Sequence, residues 1–317
     1  MDERGFYLEE MYQEFLLDDQ LYNFHYHSLL QDILDGPEMF NQRTGTKIKA
    51  LPNRTIGYSI GSALPLINTR KMFPVTAFAE LCWTLSGVRD LSWLQKHTKM
   101  WNDFANDKNE VEAAYGYRWR NMFGRDQIYN AVHALVNDPS DRQIFISAWD
   151  NDKDGLGNRW TSNVPCPTCF SVNIIDNKLN LTLFIRSSDT IVGLPYDMLM
   201  YSLLLIVLTN TLRKFYPTLQ YGRIDAMLSH AHIYEAHYNI ANELIDNALK
   251  FKGSARNNPY IIQDIDLNNC SMLWALQTVN NIINDPDTAM VMFKDCLYSQ
   301  FGENQKFPPM YKPEIIK

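Results

Sequence analysis

The sequence predicts a single α/β domain wrapped around one long buried helix, and three observations carry that expectation. Runs with strand-like alternation occur at residues 55–60, 143–149, 166–186 and 221–225. Helical patterns fall between and around them, at 6–35, 74–87, 126–136 and 197–214. The third observation is the segment 199–208, which is apolar apart from Tyr201 and Ser202. It is too short to span a bilayer and reads as a helix buried on all sides. A chain of 317 residues with 46% hydrophobic content can cover such a helix with a large core.

Each element has its own signals. The first helical pattern stops at Asp35-Gly36-Pro37. Residues 43–49 form a polar, glycine-bearing loop, and the alternating run 55–60 follows. Pro74 suits the first turn of the helix over 74–87, and Gly87 lies past its end. Asn137-Asp138-Pro139 closes the helix over 126–136. Residues 143–149 read as a buried strand, and the turn-rich stretch 151–158 as a surface loop. Two strands turn at Asp176-Asn177-Lys178, and a Gly-Leu-Pro turn leads into the long helix. A short strand at 221–225 precedes 230–249, helical in its later part, and a helical pattern at 271–284.

A net charge of -7 argues against a protein that coats nucleic acid, so any phosphate must be met by locally gathered arginines. Five scattered cysteines suit a reducing, cytoplasmic setting rather than a disulfide framework. The charged start MDERGFYLEE offers no apolar core for a secretory signal.

Residues 165–197 hold the chemistry: a cysteine between two prolines, an arginine, a hydroxyl and two carboxylates on one short scaffold. Cys166 and Cys169 form a C-x-x-C pair, but a zinc site lacks a second ligand pair at suitable spacing. A redox dithiol normally opens a helix, whereas this pair opens a strand pattern. A buried structural cysteine remains as one reading of Cys166. The other is a nucleophile, its thiolate favoured by the nearby cation of Arg186.

Cys166, Arg186-Ser187, Ser188-Asp189, Gly193-Leu194-Pro195 and a polar residue at 197 together resemble the thymidylate synthase superfamily. The likeness extends outward in order. It takes in Arg43-Thr44-Gly45-Thr46, Glu80-Leu81-Cys82-Trp83, Trp101, Tyr115-Gly116, Trp119-Arg120, Asp138-Pro139 to Arg142, Ser147-Ala148-Trp149 and His232-Ile233-Tyr234, and covers about residues 22–240. It implies an α+β fold with a large mixed sheet, an N-terminal extension over 1–21 and one catalytic domain over 22–317, divergent from about 250. It implies 5,10-methylenetetrahydrofolate as co-substrate, a pyrimidine nucleoside monophosphate as acceptor, a homodimer, and no metal, membrane or nucleic acid.

The resemblance also assigns roles. Cys166 attacks C6 of the base, Glu80 manages protons, and Tyr115 belongs to the catalytic group. Arg43, Arg186 and Ser187 hold the phosphate, with Arg142 reaching in from the partner subunit. His232 and Tyr234 bond the sugar hydroxyl, while Asp189 and Trp101 meet the folate beside Glu80. Read from the residues alone, Glu80 could be a solvated helix charge, although Leu81, Cys82 and Trp83 beside it suggest a mostly buried segment. A lone tryptophan such as Trp101 is more often core, and His232 and Tyr234 could equally be core packing.

Three departures from the commonest family pattern matter. Gln143 stands where a second arginine is usual, and Pro167 follows the nucleophile where histidine is usual. Asp197 stands where enzymes acting on deoxyuridylate carry asparagine, which resembles the deoxycytidylate hydroxymethylases of phages. A carboxylate can accept from the cytosine N4 amino group and favour a protonated N3, but it opposes the O4 of uracil. The expectation is therefore a dCMP 5-hydroxymethyltransferase. A dCMP methyltransferase, a CMP hydroxymethylase, a thymidylate synthase and a silent nucleotide- or RNA-binding relative are the alternatives. Asp197 could also serve only as a helix N-cap.

Overall fold

A computed structural model describes residues 18–60, 64–67, 69–159, 163–250 and 278–301. The predicted extension 1–21 lies mostly outside these residues, as do the tail beyond 301 and residues 271–277 of the last helical pattern.

Alternation builds the sheet. Helix α1 (Asp18–Asp35) leads to strands β1 (Glu38–Asn41) and β2 (Thr46–Ser59). After helix α2 (Pro74–Ser86) and helix α3 (Gln127–Asn137) comes strand β3 (Phe145–Ser147). A minor hairpin, β4 (Asp154–Gly155) and β5 (Asn158–Arg159), precedes β6 (Pro167–Ile175) and β7 (Lys178–Ile185). Then follow β8 (Ser188–Asp189), helix α4 (Leu194–Leu212), β9 (Gln220–Tyr234), α5 (Tyr238–Lys250), α6 (Val279–Asn284) and α7 (Pro286–Phe301). The main sheet runs β1-β2-β9-β7-β6-β3, with β8 beside β9. Strands β7 and β8 pair with β9 in parallel and the other neighbours are antiparallel, so the sheet is mixed.

On β7, Leu179, Leu181, Leu183 and Ile185 are buried beneath α4 while the intervening residues point to the other face. Helix α4 is apolar all round, and its residues from Met198 to Thr209 are buried between β7, β9 and α2. Among the described residues it is the one helix long and apolar enough to cross a membrane, and it forms the core. A stacked pair, Phe78 and Phe293 at 4.2 Å, fastens α7 onto α2.

The structure corrects several boundaries. β2 begins at Thr46, inside the expected loop 43–49, because Ile48 and Ala50 alternate inward against β9. β9 continues to Tyr234 rather than stopping at 225, since its inward side keeps finding cover. The strand expected over 143–149 shrinks to three residues at the sheet's edge, with Phe145 exposed. The loop 151–158 is not uniformly superficial: Asp154 is buried, while Leu156 is fully exposed. Helix α4 starts at Leu194, three residues before Asp197.

Candidate active site

The site lies where α2, the turn at 115–117, the start of β6 and the start of α4 converge. Burial of Ala77 to Leu85 turns α2 inward, and Glu80 goes with it, only 8% exposed. Trp101 packs into the hydrophobic core, and its Nε1 donates to Glu80 Oε1 at 3.0 Å, tying the buried carboxyl to it. Burial raises the Glu80 carboxyl to about 7 against the opposing Trp101 hydrogen bond. The solvated-charge reading of Glu80 is thereby excluded.

Gly116 explains how Tyr115 reaches this wall. A Cβ there would lie 1.8 Å from the Thr84 carbonyl oxygen, so only glycine lets the 115–117 turn touch α2. The Tyr115 ring stands edge-on to Trp101 at 5.9 Å, and its hydroxyl accepts the Cys166 N–H at 3.2 Å. The nucleophile candidate is therefore hydrogen-bonded to the Glu80 wall through its own backbone.

Arg186 clasps the cysteine turn. Its Nε donates to Pro165 O at 2.8 Å, its Nη2 donates to Val164 O at 2.9 Å, and the same Nη2 lies 3.8 Å from Cys166 Sγ. The Cys166 thiol nonetheless sits above its ordinary value. Burial raises it, Arg186 and Arg43 oppose that, and Asp197 and Asp189 add to it. The expected cation effect is present but outweighed in the isolated chain.

Asp197 is not a cap. The N-cap of α4 is Gly193, without a side-chain cap, and Asp197 lies inside the first turn. Its carboxyl is held well above the usual range by burial first and then by the charges of Glu80 and Asp189. Asp189 is anchored differently, its Oδ1 accepting the N–H groups of Ile191 at 2.9 Å and Val192 at 3.0 Å. His232 and Tyr234 follow on β9 with rings 5.0 Å apart. Both are buried, and the His232 Nδ1 has no hydrogen-bond partner. Burial lowers the His232 imidazole from its ordinary value, while Asp189 pulls the other way. Arg43, at the β1–β2 turn, reaches the Tyr234 hydroxyl and bears electrostatically on His232 and Cys166.

The structure thus gathers Glu80, Trp101, Tyr115, Cys166, Arg186, Asp189, Asp197, His232, Tyr234 and Arg43. Ser187 is half-buried beside Arg186. Arg142 is not brought in: it is exposed, in a surface groove with Asp138, Ser140, Asp141 and Gln143. Sequence reasoning missed Tyr26 and Arg70. The Tyr26 hydroxyl donates to Thr190 O at 2.9 Å, and Arg70 Nη1 donates to Ile191 O, pinning the turn between the two aspartates. Tyr26 shares a helical stripe with Tyr22, Leu29, Leu30 and Ile33, a signal of core and nothing more.

Among the described residues no group of three or more His, Cys, Asp or Glu side chains could hold a metal ion. The chain matches the family model described as Thymidylate synthase over residues 24–273, well over half its 317 residues. It belongs to the thymidylate synthase family, folate-dependent enzymes that transfer a one-carbon unit from methylenetetrahydrofolate to C5 of a pyrimidine nucleotide.

Proposed function

We propose that this enzyme is a dCMP 5-hydroxymethyltransferase, a homodimer acting in the cytoplasm. The observation that carries the reading is Asp197, a carboxyl that caps nothing and faces the same space as Cys166 and Glu80. Its raised proton affinity refines the sequence argument. A carboxyl that keeps its proton can donate to N3 of cytosine while its other oxygen accepts from N4. The same group could donate to O4 of uracil, so the discrimination rests on acceptor strength. N3 of cytosine is much the more basic acceptor and holds the shared proton more firmly.

The remaining residues take roles that fit their surroundings. The Cys166 thiolate adds to C6, and the electron pair released into the ring makes C5 the nucleophile that accepts the one-carbon unit. A proton then leaves C5, and the carbon–nitrogen bond to the folate breaks, releasing tetrahydrofolate and leaving an exocyclic methylene on C5. Glu80, raised to about 7, can give and take protons near neutral pH, with Trp101 and Tyr115 fixing the wall between it and the thiol. Water adds to the exocyclic methylene to give the hydroxymethyl group, and breaking the C6–S bond returns the thiolate. Arg43, Arg186 and Ser187 meet the phosphate, His232 and Tyr234 the sugar, and Asp189 with Trp101 the folate.

Support for the dimer comes from the outer sheet face. Phe145, Phe184 and Met227 are all exposed there, on strands whose opposite face is the core. Arg142 is exposed and outside its own chain's site, as a residue given to a partner must be. Its arrival would supply the cation that the raised Cys166 thiol needs.

Trapping tests the chemistry. Fluorine at C5 cannot leave as the proton does, so 5-fluoro-dCMP with methylenetetrahydrofolate should leave a covalent adduct on Cys166, located by peptide mass. Cys166→Ser should give none. An unmodified wild-type protein under these conditions would point to a binding relative without catalysis.

A further inference from the structure

Arg118 and Asp154 form an ion pair whose side chains are 1% and 0% exposed. Arg118 Nη2 donates to Asp154 Oδ1 at 3.1 Å, and Nη1 donates to Oδ2. Nη1 also donates to the Ala148 carbonyl at 2.7 Å, and Asp154 Oδ2 accepts the Asp150 N–H at 2.9 Å. The pair therefore grips the backbone on both sides of Trp149. Gln127 reinforces it, accepting the Ser147 N–H at 2.9 Å and donating to the carbonyls of Ser147 at 2.9 Å and Arg118 at 3.1 Å. Ser147 Oγ accepts the Trp149 N–H at 3.1 Å.

The side chain of Trp149 is confined as firmly as its backbone. Gly155, next to Asp154, has φ 65°, and a Cβ there would lie 2.9 Å from Trp149 Cζ2. The loop held by the ion pair thus closes against the edge of the indole. Arg186 faces the same ring, its Cζ 5.8 Å from the centroid, within cation–π range. This is the arginine whose Nη2 lies 3.8 Å from Cys166 Sγ.

A fully buried ion pair seldom stabilises a fold more than apolar side chains of equal volume would. What it supplies is direction, because two charges that must meet leave the surrounding backbone one arrangement. Neither Arg118 nor Asp154 has a part in the reaction proposed above. We propose that the Arg118–Asp154 ion pair is a positioning device for the nucleophile: it fixes Trp149, and Trp149 holds the Arg186 guanidinium against Cys166 Sγ. The inference rests on Cys166 being the nucleophile, but it concerns the thiol itself and is read without turnover.

The test measures alkylation of Cys166 by iodoacetamide across pH, quantified on the Cys166 peptide, beside the thermal midpoint of each variant. The double variant Arg118→Met, Asp154→Leu removes both charges and keeps the volume, so its midpoint should equal or exceed the native one. Its alkylation at pH 7 should nevertheless slow by roughly tenfold, with the pH profile displaced upward by about one unit. Trp149→Leu should show the same displacement, and Trp149→Phe, which keeps an aromatic face, should recover most of the rate. If the double variant fails to fold, the half-buried Trp149 pair decides the matter alone. Native alkylation profiles in these variants would overturn the proposal, as would a loss of rate that merely follows the loss of thermal stability. A failure of the trapping experiment with these profiles intact would remove the reaction and leave the positioning.

Discussion

Glu80 shows how a single buried carboxyl couples stability to function. The unfolded chain releases its proton near 4.5, whereas the folded site keeps it to about 7. Folding therefore binds a proton between those values, and stability falls as pH rises through that window. The contribution is on the order of 3 kcal/mol, fully relieved below pH 4.5. Glu80→Gln can still accept from Trp101 but has no proton to lose. It should flatten that part of the stability profile in denaturant titrations and lower kcat by about a hundredfold. An unaltered profile would mean that Glu80 does not carry the buried charge. At this scale the sequence was legible where an order of motifs existed: Cys166, Glu80, Asp189 and Asp197 all meet. It was silent on Tyr26 and Arg70, which act through backbone carbonyls that no side-chain pattern announces. It misjudged Asp154, because a turn-rich loop gives no hint that one of its acids will find Arg118 far back in the chain.

Elements were readable where one physical rule decided them. Pro74 and Gly87 bracket α2, and the continuous apolar run of α4 could only be a buried helix. The full length of β9 was hidden because Gln220–Tyr234 mixes His230, His232 and Tyr234 into its inward row, residues whose burial depends on the pocket they line. β3 was overestimated for the converse reason, as an apolar run at a sheet edge lacks partners to extend it. Helix α4 is the element on which the site depends, since it carries Asp197 on its first turn and the core behind it. Leu204 is wholly buried there, and Leu204→Ala should cost about 2–5 kcal/mol in denaturant unfolding. A cost below ~1 kcal/mol would mean that α4 is not packed as described.

At the scale of the molecule, one face of the mixed sheet supports the core and the other presents Phe145, Phe184 and Met227 outward. A shared site across that face has a sharp consequence. Arg142→Ala and Cys166→Ser variants should each be nearly inactive alone. Refolded together in equal amounts they should recover about a quarter of native activity, because half the dimers are mixed and each holds one complete site. No recovery would place Arg142 outside the shared site. The mixed sheet itself came from the resemblance, since strand patterns do not say which neighbours run parallel.

The central claim is that Asp197 selects cytosine and that water completes the transfer. The most direct measurement is one incubation of the enzyme with methylenetetrahydrofolate and equal amounts of dCMP, CMP and dUMP, with products resolved by mass. Hydroxymethylated dCMP with tetrahydrofolate should dominate for the native protein, and Asp197→Asn should move the product toward uridylate. A uridylate product from the native enzyme, or a methylated product with dihydrofolate, would contradict the account.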